Sequence, residues 1–183
     1  MAPLVNKFKS DARFETSVCV TAQHREMLDQ VLSFFDIIPD YDLNLMKPNQ
    51  NLYSLTASII EGLKPVLEEV KPDYVFLYVD TTTTMAGSIA SFYSGTKVCH
   101  VEAGLRTHNK WSPFPEEINR QIAGRVCDYH FAPTTLSKSN LLQENIKEDT
   151  VLVTGNTVTS RVRQVDFSSW YMYSMRNQLL ISL

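Results

Sequence analysis

Residues 74–84 read YVFLYVDTTTT and combine a short apolar run with an abrupt polar end. The apolar residues are consecutive rather than alternating, which is typical of a strand covered by helices on both faces. The threonines open a stretch with helical periodicity. A buried strand that leads directly into a helix predicts an α/β domain with a parallel sheet.

The rest of the chain repeats this pattern. Further strands are predicted at Phe14–Thr21, Tyr41–Leu45, Lys97–Ala103, Tyr129–Ala132 and Val151–Thr154. Helices are predicted at Arg25–Phe35, Leu52–Val70, Thr82–Tyr93, Glu116–Arg125 and Leu136–Asn145, and the chain opens on one with Pro3 in its first turn. We expect a kink or break at Pro65. The order predicts a Rossmann-like, three-layer parallel sheet, whereas residues 159–183 show no clear strand or helix signal.

Composition narrows the function classes. The 183 residues are 44% hydrophobic with a net charge of −3, so the basic footprint that nucleic-acid binding requires is missing. No run approaches the ~20 apolar residues of a membrane span, and the first residues do not resemble a signal peptide. Cys19, Cys99 and Cys127 lie in apolar runs without metal-ligand spacing. We interpret them as reduced core residues and expect a cytoplasmic protein without a membrane or nucleic-acid partner.

Three carboxylates are predicted at the edge where parallel sheets bind ligands, two of them at the ends of strands and one at the start of a helix. Asp80 ends the strand before the four threonines, and either residue type there can cap the helix or help hold an anion. Glu102 ends the next strand, where burial suits proton transfer, although an ion pair with Arg106 is an equally good interpretation. Glu116 starts a helix behind Pro115, which also suits the helix dipole. A cluster of these carboxylates is costly unless it binds a ligand or shares protons.

Two further segments reach the same edge. Gln23 and His24 follow the strand that ends near Thr21, and residues 155–157 (GNT) follow the last predicted strand. Three carboxylates would suit a metal, but no histidine is spaced to complete a site, so we predict none.

The ordered segments TAQHREMLDQVL, DYDLNLMKP, EGLKPVLEEVKPD, DTTTT, HVEAGLRT, SPFPEEINR and VTGNTV closely resemble the bacterial non-hydrolysing UDP-N-acetylglucosamine 2-epimerases. The resemblance runs from Met1 to about Val158. It implies one half of a two-domain GT-B-type fold: residues 1–158 as the N-terminal domain and 159–183 as a divergent tail, with the second domain absent. On fold alone a hydrolysing epimerase or a glycosyltransferase would also be possible, but the ordered motifs argue against both.

The resemblance also implies a chemistry. Family members act as homodimers and interconvert UDP-GlcNAc and UDP-ManNAc for surface polysaccharide synthesis, by anti elimination of UDP to 2-acetamidoglucal and re-addition. This needs neither a nicotinamide cofactor nor a metal. The family's acidic residues match Asp80 and Glu116, for proton transfer at C2, and Glu102 at the same site. In some members UDP-GlcNAc also binds as an activator, and the matching positions are Gln23, His24 and Glu116.

The sequence departs from the family in three ways. The first strand and its Gly-Thr-Arg-Pro-Glu loop, with the catalytic basic residues, are not found; losing such a central strand would cost on the order of 10 kcal/mol. The C-terminal domain, which supplies most uridine and diphosphate contacts, is not found after Val158. Tyr78-Val79 replaces the usual His-Gly, which bears on close backbone approach to a ligand. We therefore expect little activity from the chain alone.

Two alternatives to an epimerase domain remain. One is an inactive or regulatory module that binds a nucleotide sugar or a full-length epimerase subunit. The other is the product of a disrupted reading frame, for which the unusual tail would account.

Overall fold

The computed structural model describes residues 1–21, 25–45, 50–155 and 177–182, the last of these as backbone only. The helices of this part are α1 (Ala2–Lys9), α2 (Arg25–Phe34), α3 (Leu52–Val70), α4 (Thr82–Tyr93), α5 (Glu116–Val126) and α6 (Thr135–Gln143). The strands are β1 (Glu15–Val20), β2 (Tyr41–Asp42), β3 (Tyr74–Tyr78), β4 (Lys97–Val101), β5 (Tyr129–Ala132), β6 (Val151–Val153) and β7 (Asn177–Ser182). A 3₁₀ turn at Glu148–Thr150 precedes β6.

The strands form one sheet in the order β2-β1-β7-β3-β4-β5-β6. Every pairing in it is parallel, as predicted. All strands therefore end at one edge, which we call the carboxyl edge, and the loops that follow β1, β3, β4 and β5 meet there.

The sheet separates two apolar layers. Val75 and Leu77 of β3 pack in a cluster with α3 and α4, whereas Phe76, between them, packs in a second cluster with Phe8 of α1. Successive side chains of a strand point to opposite faces, so a run of consecutive apolar residues fills both layers. The three-layer arrangement follows directly from the sequence YVFLY.

The predicted break at Pro65 is wrong, because α3 is one helix from Leu52 to Val70. Pro65 lies on the exposed side of α3, while Leu63 and Val66 on the other side are buried in the core. Water can hydrogen-bond the carbonyl group that proline leaves without an N–H partner, and packing of the buried side holds the helix together.

The largest difference from the sequence-based expectation is in the tail. Residues 177–182 form β7, which lies inside the sheet between β1 and β3. The sequence NQLLIS carries only three consecutive apolar residues, too few to distinguish a buried strand from a loop. Pairing with two neighbouring strands, rather than local propensity, defines this strand.

Candidate active site at the carboxyl edge

The carboxyl edge brings the three predicted acidic residues to one side of the sheet. Asp80 follows β3, Glu102 directly follows β4, and Glu116 is the first residue of α5. All three residues are partly buried.

Asp80 is held by the guanidinium group of Arg120. The Nε of Arg120 donates to Oδ2 of Asp80 at 2.9 Å, and Nη2 donates to the same oxygen. Asn119 donates its side-chain amide to the backbone carbonyl of Asp80, also at 2.9 Å. Both side chains of the ion pair are 14% exposed, so the pair is mostly withdrawn from solvent. Both guanidinium contacts go to one oxygen of Asp80, which fixes the orientation of the carboxylate.

Glu117 organises the groups around that pair. Its fully buried carboxylate accepts hydrogen bonds from the backbone N–H groups of Thr107 and His108 and from the side chains of Arg120 and Gln121. Burial raises the pKa of Glu117, but the hydrogen bonds, led by that of Thr107, lower it by more, so the net shift is downward. The ionised carboxylate therefore ties the loop after β4 to the arginine that holds Asp80.

That loop carries an exposed aromatic pair. The rings of Trp111 and Phe114 stack with centroids 5.7 Å apart, and both side chains are more than half exposed. They lie between Glu102 and Glu116 in the sequence, next to the carboxyl edge. A stacked, exposed aromatic pair at such a position offers a flat apolar surface to a ligand.

Glu102 is oriented by Tyr78, whose hydroxyl donates to Oε1 of Glu102 at 3.1 Å. Arg106 instead forms its ion pair with Glu144, at 2.7 Å and 2.9 Å, and its own side chain is fully buried. The alternative Glu102–Arg106 ion pair is therefore wrong. Gly104, between them, has φ +86°, and a Cβ there would lie 2.2 Å from the carbonyl oxygen of Ser137, so only glycine lets the loop pass α6.

The threonines serve the helix and the strands. Thr81 caps α4, its side chain accepting from the backbone N–H of Thr84 at 3.3 Å. Thr84 in turn donates its hydroxyl to the carbonyl of Tyr78 at 2.6 Å. The hydroxyl oxygens of Thr83 and Thr21 lie 3.1 Å apart and connect the ends of β1 and α4. The ordinary capping role predicted for this segment is confirmed, with Thr81 rather than Asp80 as the cap.

Val79 adopts a conformation that glycine prefers. Its φ is +64°, in the left-handed region that β-branched residues very rarely adopt. The backbone on both sides is fixed, because the N–H of Val79 donates to Val101 and its carbonyl lies 2.6 Å from Nε2 of His100. Valine therefore replaces the usual glycine at a position beside Asp80 where the backbone is strained for any residue with a side chain.

Two buried histidines lie behind the edge. His100 and His130 pair in register on β4 and β5, and the Nδ1 atom of each has no hydrogen-bond partner among the described residues. Burial lowers the pKa of His100 to about 4 and the pKa of His130 to about 3, the latter with help from His100 and Arg106. Both rings are therefore neutral at pH 7.

Several predicted positions lie outside the described residues: Gln23, His24, Asn156 and Thr157. Across the ranges 1–21, 25–45 and 50–155, no three His, Cys, Asp or Glu residues come close enough to hold a metal ion. The helices of the described part are all too short or too polar to cross a membrane. Cys19, Cys99 and Cys127 are free and buried, as predicted, and burial raises the pKa of each thiol.

Sequence analysis missed three residues of this site: Tyr78, Glu117 and Arg120. The spacing of Glu117 and Arg120 in EEINR is that of an i, i+3 ion pair, a usable signal for their contact. No local pattern connects Arg120 to Asp80, which lies 40 positions earlier, or Tyr78 to Glu102.

The fold and the carboxyl edge together indicate the class of protein. Open parallel α/β sheets of this kind bind their ligands, nucleotides among them, in the crevice at the carboxyl edge. A family model described as UDP-N-acetylglucosamine 2-epimerase matches residues 6–179. The chain belongs to this family.

Individual relatives agree. A UDP-N-acetylglucosamine 2-epimerase of Salmonella typhimurium is 51% identical over 193 aligned positions, covering 99% of this chain and 51% of the relative. One from Escherichia coli K12 is 58% identical over 158, covering 86% and 42%. A crystal structure of the UDP-GlcNAc 2-epimerase from Neisseria meningitidis bound to UDP-GlcNAc superposes with a TM-score of 0.84 at 56% identity, over 86% of this chain and 43% of that one.

The chain thus spans about half the length of these relatives. Its architecture corresponds to one half of their GT-B-like fold, and the predicted fold class is confirmed.

Proposed function

We propose that this chain supplies the N-terminal half of the active site of a non-hydrolysing UDP-GlcNAc 2-epimerase. The reaction interconverts UDP-GlcNAc and UDP-ManNAc, the latter for surface polysaccharide synthesis. We assign residues 1–158 to the domain that carries the site and 159–183 to a divergent tail, of which residues 177–182 return to the sheet as β7. The observation that carries the proposal is the placement of Asp80, Glu102 and Glu116 at one edge of the sheet, with Asp80 ion-paired to Arg120.

The reaction requires a base for the proton on C2 and an acid that returns a proton to the opposite face. Asp80 is suited to proton transfer because Arg120 fixes one of its oxygens, and we assign the other oxygen to the substrate. Glu116, at the start of α5, is assigned to the second transfer. Glu102 contributes a third carboxylate, which Tyr78 orients. When UDP leaves, the C2–H bond breaks and the sugar becomes 2-acetamidoglucal; re-addition of UDP restores both bonds.

The partners of the chain are part of the proposal. UDP-GlcNAc and UDP-ManNAc are its ligands, and Gln23, His24 and Glu116 are the positions proposed to contact an activating UDP-GlcNAc. We propose a homodimer, with support from exposed aromatic side chains on α3 and α4 such as Tyr53, Phe92 and Tyr93. A cytoplasmic location is supported by the three free, buried cysteines.

A domain exchange tests the function. Residues 1–158 of this chain replace the matching segment of the Escherichia coli relative, so that the remainder of the two-domain enzyme is present. The chimera is incubated with UDP-GlcNAc in deuterated water and followed by NMR at the sugar C1 and C2 positions. We expect UDP-ManNAc to form with deuterium at C2.

Matched substitutions locate the chemistry. Asp80→Asn and Glu116→Gln should each lower the rate by at least about 100-fold, as expected for lost acid–base groups. The exposed carboxylates Asp149 and Glu61 provide controls, since Asp149→Asn and Glu61→Gln should leave it unchanged. A folded chimera that binds UDP but neither exchanges C2 nor forms UDP-ManNAc contradicts the proposal.

The second candidate is a binding module without turnover, which the strained Val79 beside Asp80 favours, because the family usually has His-Gly where this chain has Tyr78-Val79. Saturable binding of UDP-GlcNAc to the chain, combined with an inactive chimera, would identify this alternative.

A further inference from the structure

Strand β7 connects two parts of the sheet that are otherwise separate. It pairs with β1 over six residues, from Glu15↔Asn177 to Val20↔Ser182, and with β3 over three. Within the described ranges, β1 pairs only with β2 and β7, and β3 only with β4 and β7. Without β7, the backbone hydrogen bonding would leave a β2-β1 pair on one side and a β3-β4-β5-β6 sheet on the other.

The two sides are nevertheless held at a fixed separation by side chains above and below β7. Phe8 of α1, which packs beside β1, contacts Phe76 of β3 with ring centroids 5.1 Å apart. On the opposite face, Cys19 of β1 shares a cluster with Val75 and Leu77 of β3. These contacts join the two sides of the sheet independently of β7, which separates β1 from β3 by two strand spacings, about 9.6 Å. We call the space between β1 and β3 the slot.

This slot requires a strand. Val18, Val20, Val75 and Phe76 along its walls are at most 1% exposed, so water does not reach the backbone groups between them. Each N–H or carbonyl left unpaired there would cost on the order of 1–3 kcal/mol. An extended segment that offers a backbone ladder to both walls at once removes that cost.

The segment 177–182 fits the slot. Its sequence NQLLIS places three apolar residues in succession, the pattern of a strand buried on both faces. Leu180 is the central position, since it pairs with Val18 on one side and Phe76 on the other. The connecting residues 154–176 could extend by up to roughly 70 Å at about 3.3 Å per residue, several times the four strand spacings between β6 and β7.

We propose that the slot between β1 and β3 is a peptide-binding site for a parallel apolar strand, occupied by residues 177–182 of the same molecule and refillable by a free peptide of that sequence. The slot joins the half of the carboxyl edge that carries Thr21 to the half that carries Asp80 and Glu102. The proposal does not depend on the chemistry at that edge.

The test uses the full chain with Leu180→Pro, because proline removes a ladder N–H in the strand interior. Leu183→Pro, one residue beyond β7, is the matched control. Amide hydrogen exchange of β1 and β3 is followed by mass spectrometry, with and without the synthetic peptide RNQLLISL. We expect Leu180→Pro to accelerate exchange in both β1 and β3 on the order of 100-fold, and saturating peptide to restore protection of both. Peptide carrying proline at the same position should restore nothing.

Unchanged protection of β1 and β3 in Leu180→Pro would overturn the proposal, and so would peptide that binds without protecting them. If Leu180→Pro does not fold, the unsubstituted chain decides the question. Excess peptide labelled with a heavy isotope should then become protected together with the chain, and failure to do so contradicts a refillable slot. A dimer in sedimentation that dissociates in Leu180→Pro would show that β7 of a second molecule fills the slot, and would overturn the assignment to the same molecule.

Discussion

Arg120 donates two hydrogen bonds from one guanidinium group to a single oxygen of Asp80, although the two residues lie 40 positions apart. The same arginine reaches Glu117 at 3.2 Å, so one cation serves two carboxylates. This contact fixes α5 against the end of β3 and so places Glu116 on the same edge as Asp80. Arg120 therefore joins the end of β3 to the first turn of α5.

Replacing this arginine should cost stability. Arg120→Met leaves the buried Glu117 and the half-buried Asp80 without their cation, and we expect the free energy of unfolding to fall by about 3 kcal/mol. Arg120→Lys keeps the charge but not the two parallel contacts, so the loss should be smaller. Urea unfolding monitored by circular dichroism measures both.

The control for this prediction is Arg125→Met, since Arg125 is exposed in the last turn of α5. Its effect should remain within about 0.5 kcal/mol. Equal losses in Arg120→Met and Arg125→Met would show that the network with Asp80 contributes nothing to folding.

Removing the side chain of Val79 should stabilise the folded protein. A β-branched residue at φ +64° is strained, and glycine adopts this conformation without a steric penalty. We expect Val79→Gly to raise the free energy of unfolding by about 1–2 kcal/mol, and Val79→Ala to raise it by less. Strain at this position therefore predicts that the protein with glycine is the most stable, the one with alanine is intermediate and the one with valine is the least stable. A less stable Val79→Gly protein would mean that the side chain contributes more packing than strain.

Acid should destabilise the protein through its two buried histidines. Because the pKa of His100 is about 4 and that of His130 about 3 in the folded state, against 6.5 in the unfolded chain, the unfolded chain binds more protons in between. Their contribution to stability is complete above pH 6.5 and is lost as the pH falls towards 4 and then 3. For His100 the loss amounts to roughly 3 kcal/mol.

Unfolding free energies measured between pH 7 and pH 4 test this expectation. His130→Phe should flatten the pH dependence, whereas the exposed His108, changed to glutamine, should leave it as it was. A slope that survives both His100→Phe and His130→Phe would assign the acid sensitivity to carboxylates instead.

The sequence predicted the features that depend on local pattern. The α/β class, the parallel sheet and helix α3 from Leu52 to Val70 follow from periodicity. The roles of Asp80, Glu102 and Glu116 stay predictions, made from the ends of two apolar runs and from the start of a helix. A strand that helices cover on both faces needs consecutive apolar residues, and this pattern can be recognised in the sequence alone.

What could not be predicted depends on pairing between distant segments. Strand β7 has a weak local signal and is defined by its neighbours β1 and β3. Arg106 selects Glu144 over Glu102 because α6 brings Glu144 to the buried guanidinium. Both outcomes depend on contacts between segments that are distant in the chain, and such contacts leave no local pattern in the sequence.

If the carboxyl edge holds the sugar, the chain itself should bind UDP-GlcNAc, and Asp80 should contribute to that binding. Saturation-transfer NMR would compare the unsubstituted chain with Asp80→Asn and with the control Asp149→Asn. We predict saturable binding, transfer to the GlcNAc ring protons, and affinity at least about tenfold weaker in Asp80→Asn alone. The absence of saturable binding, or equal affinity in all three proteins, would contradict the account.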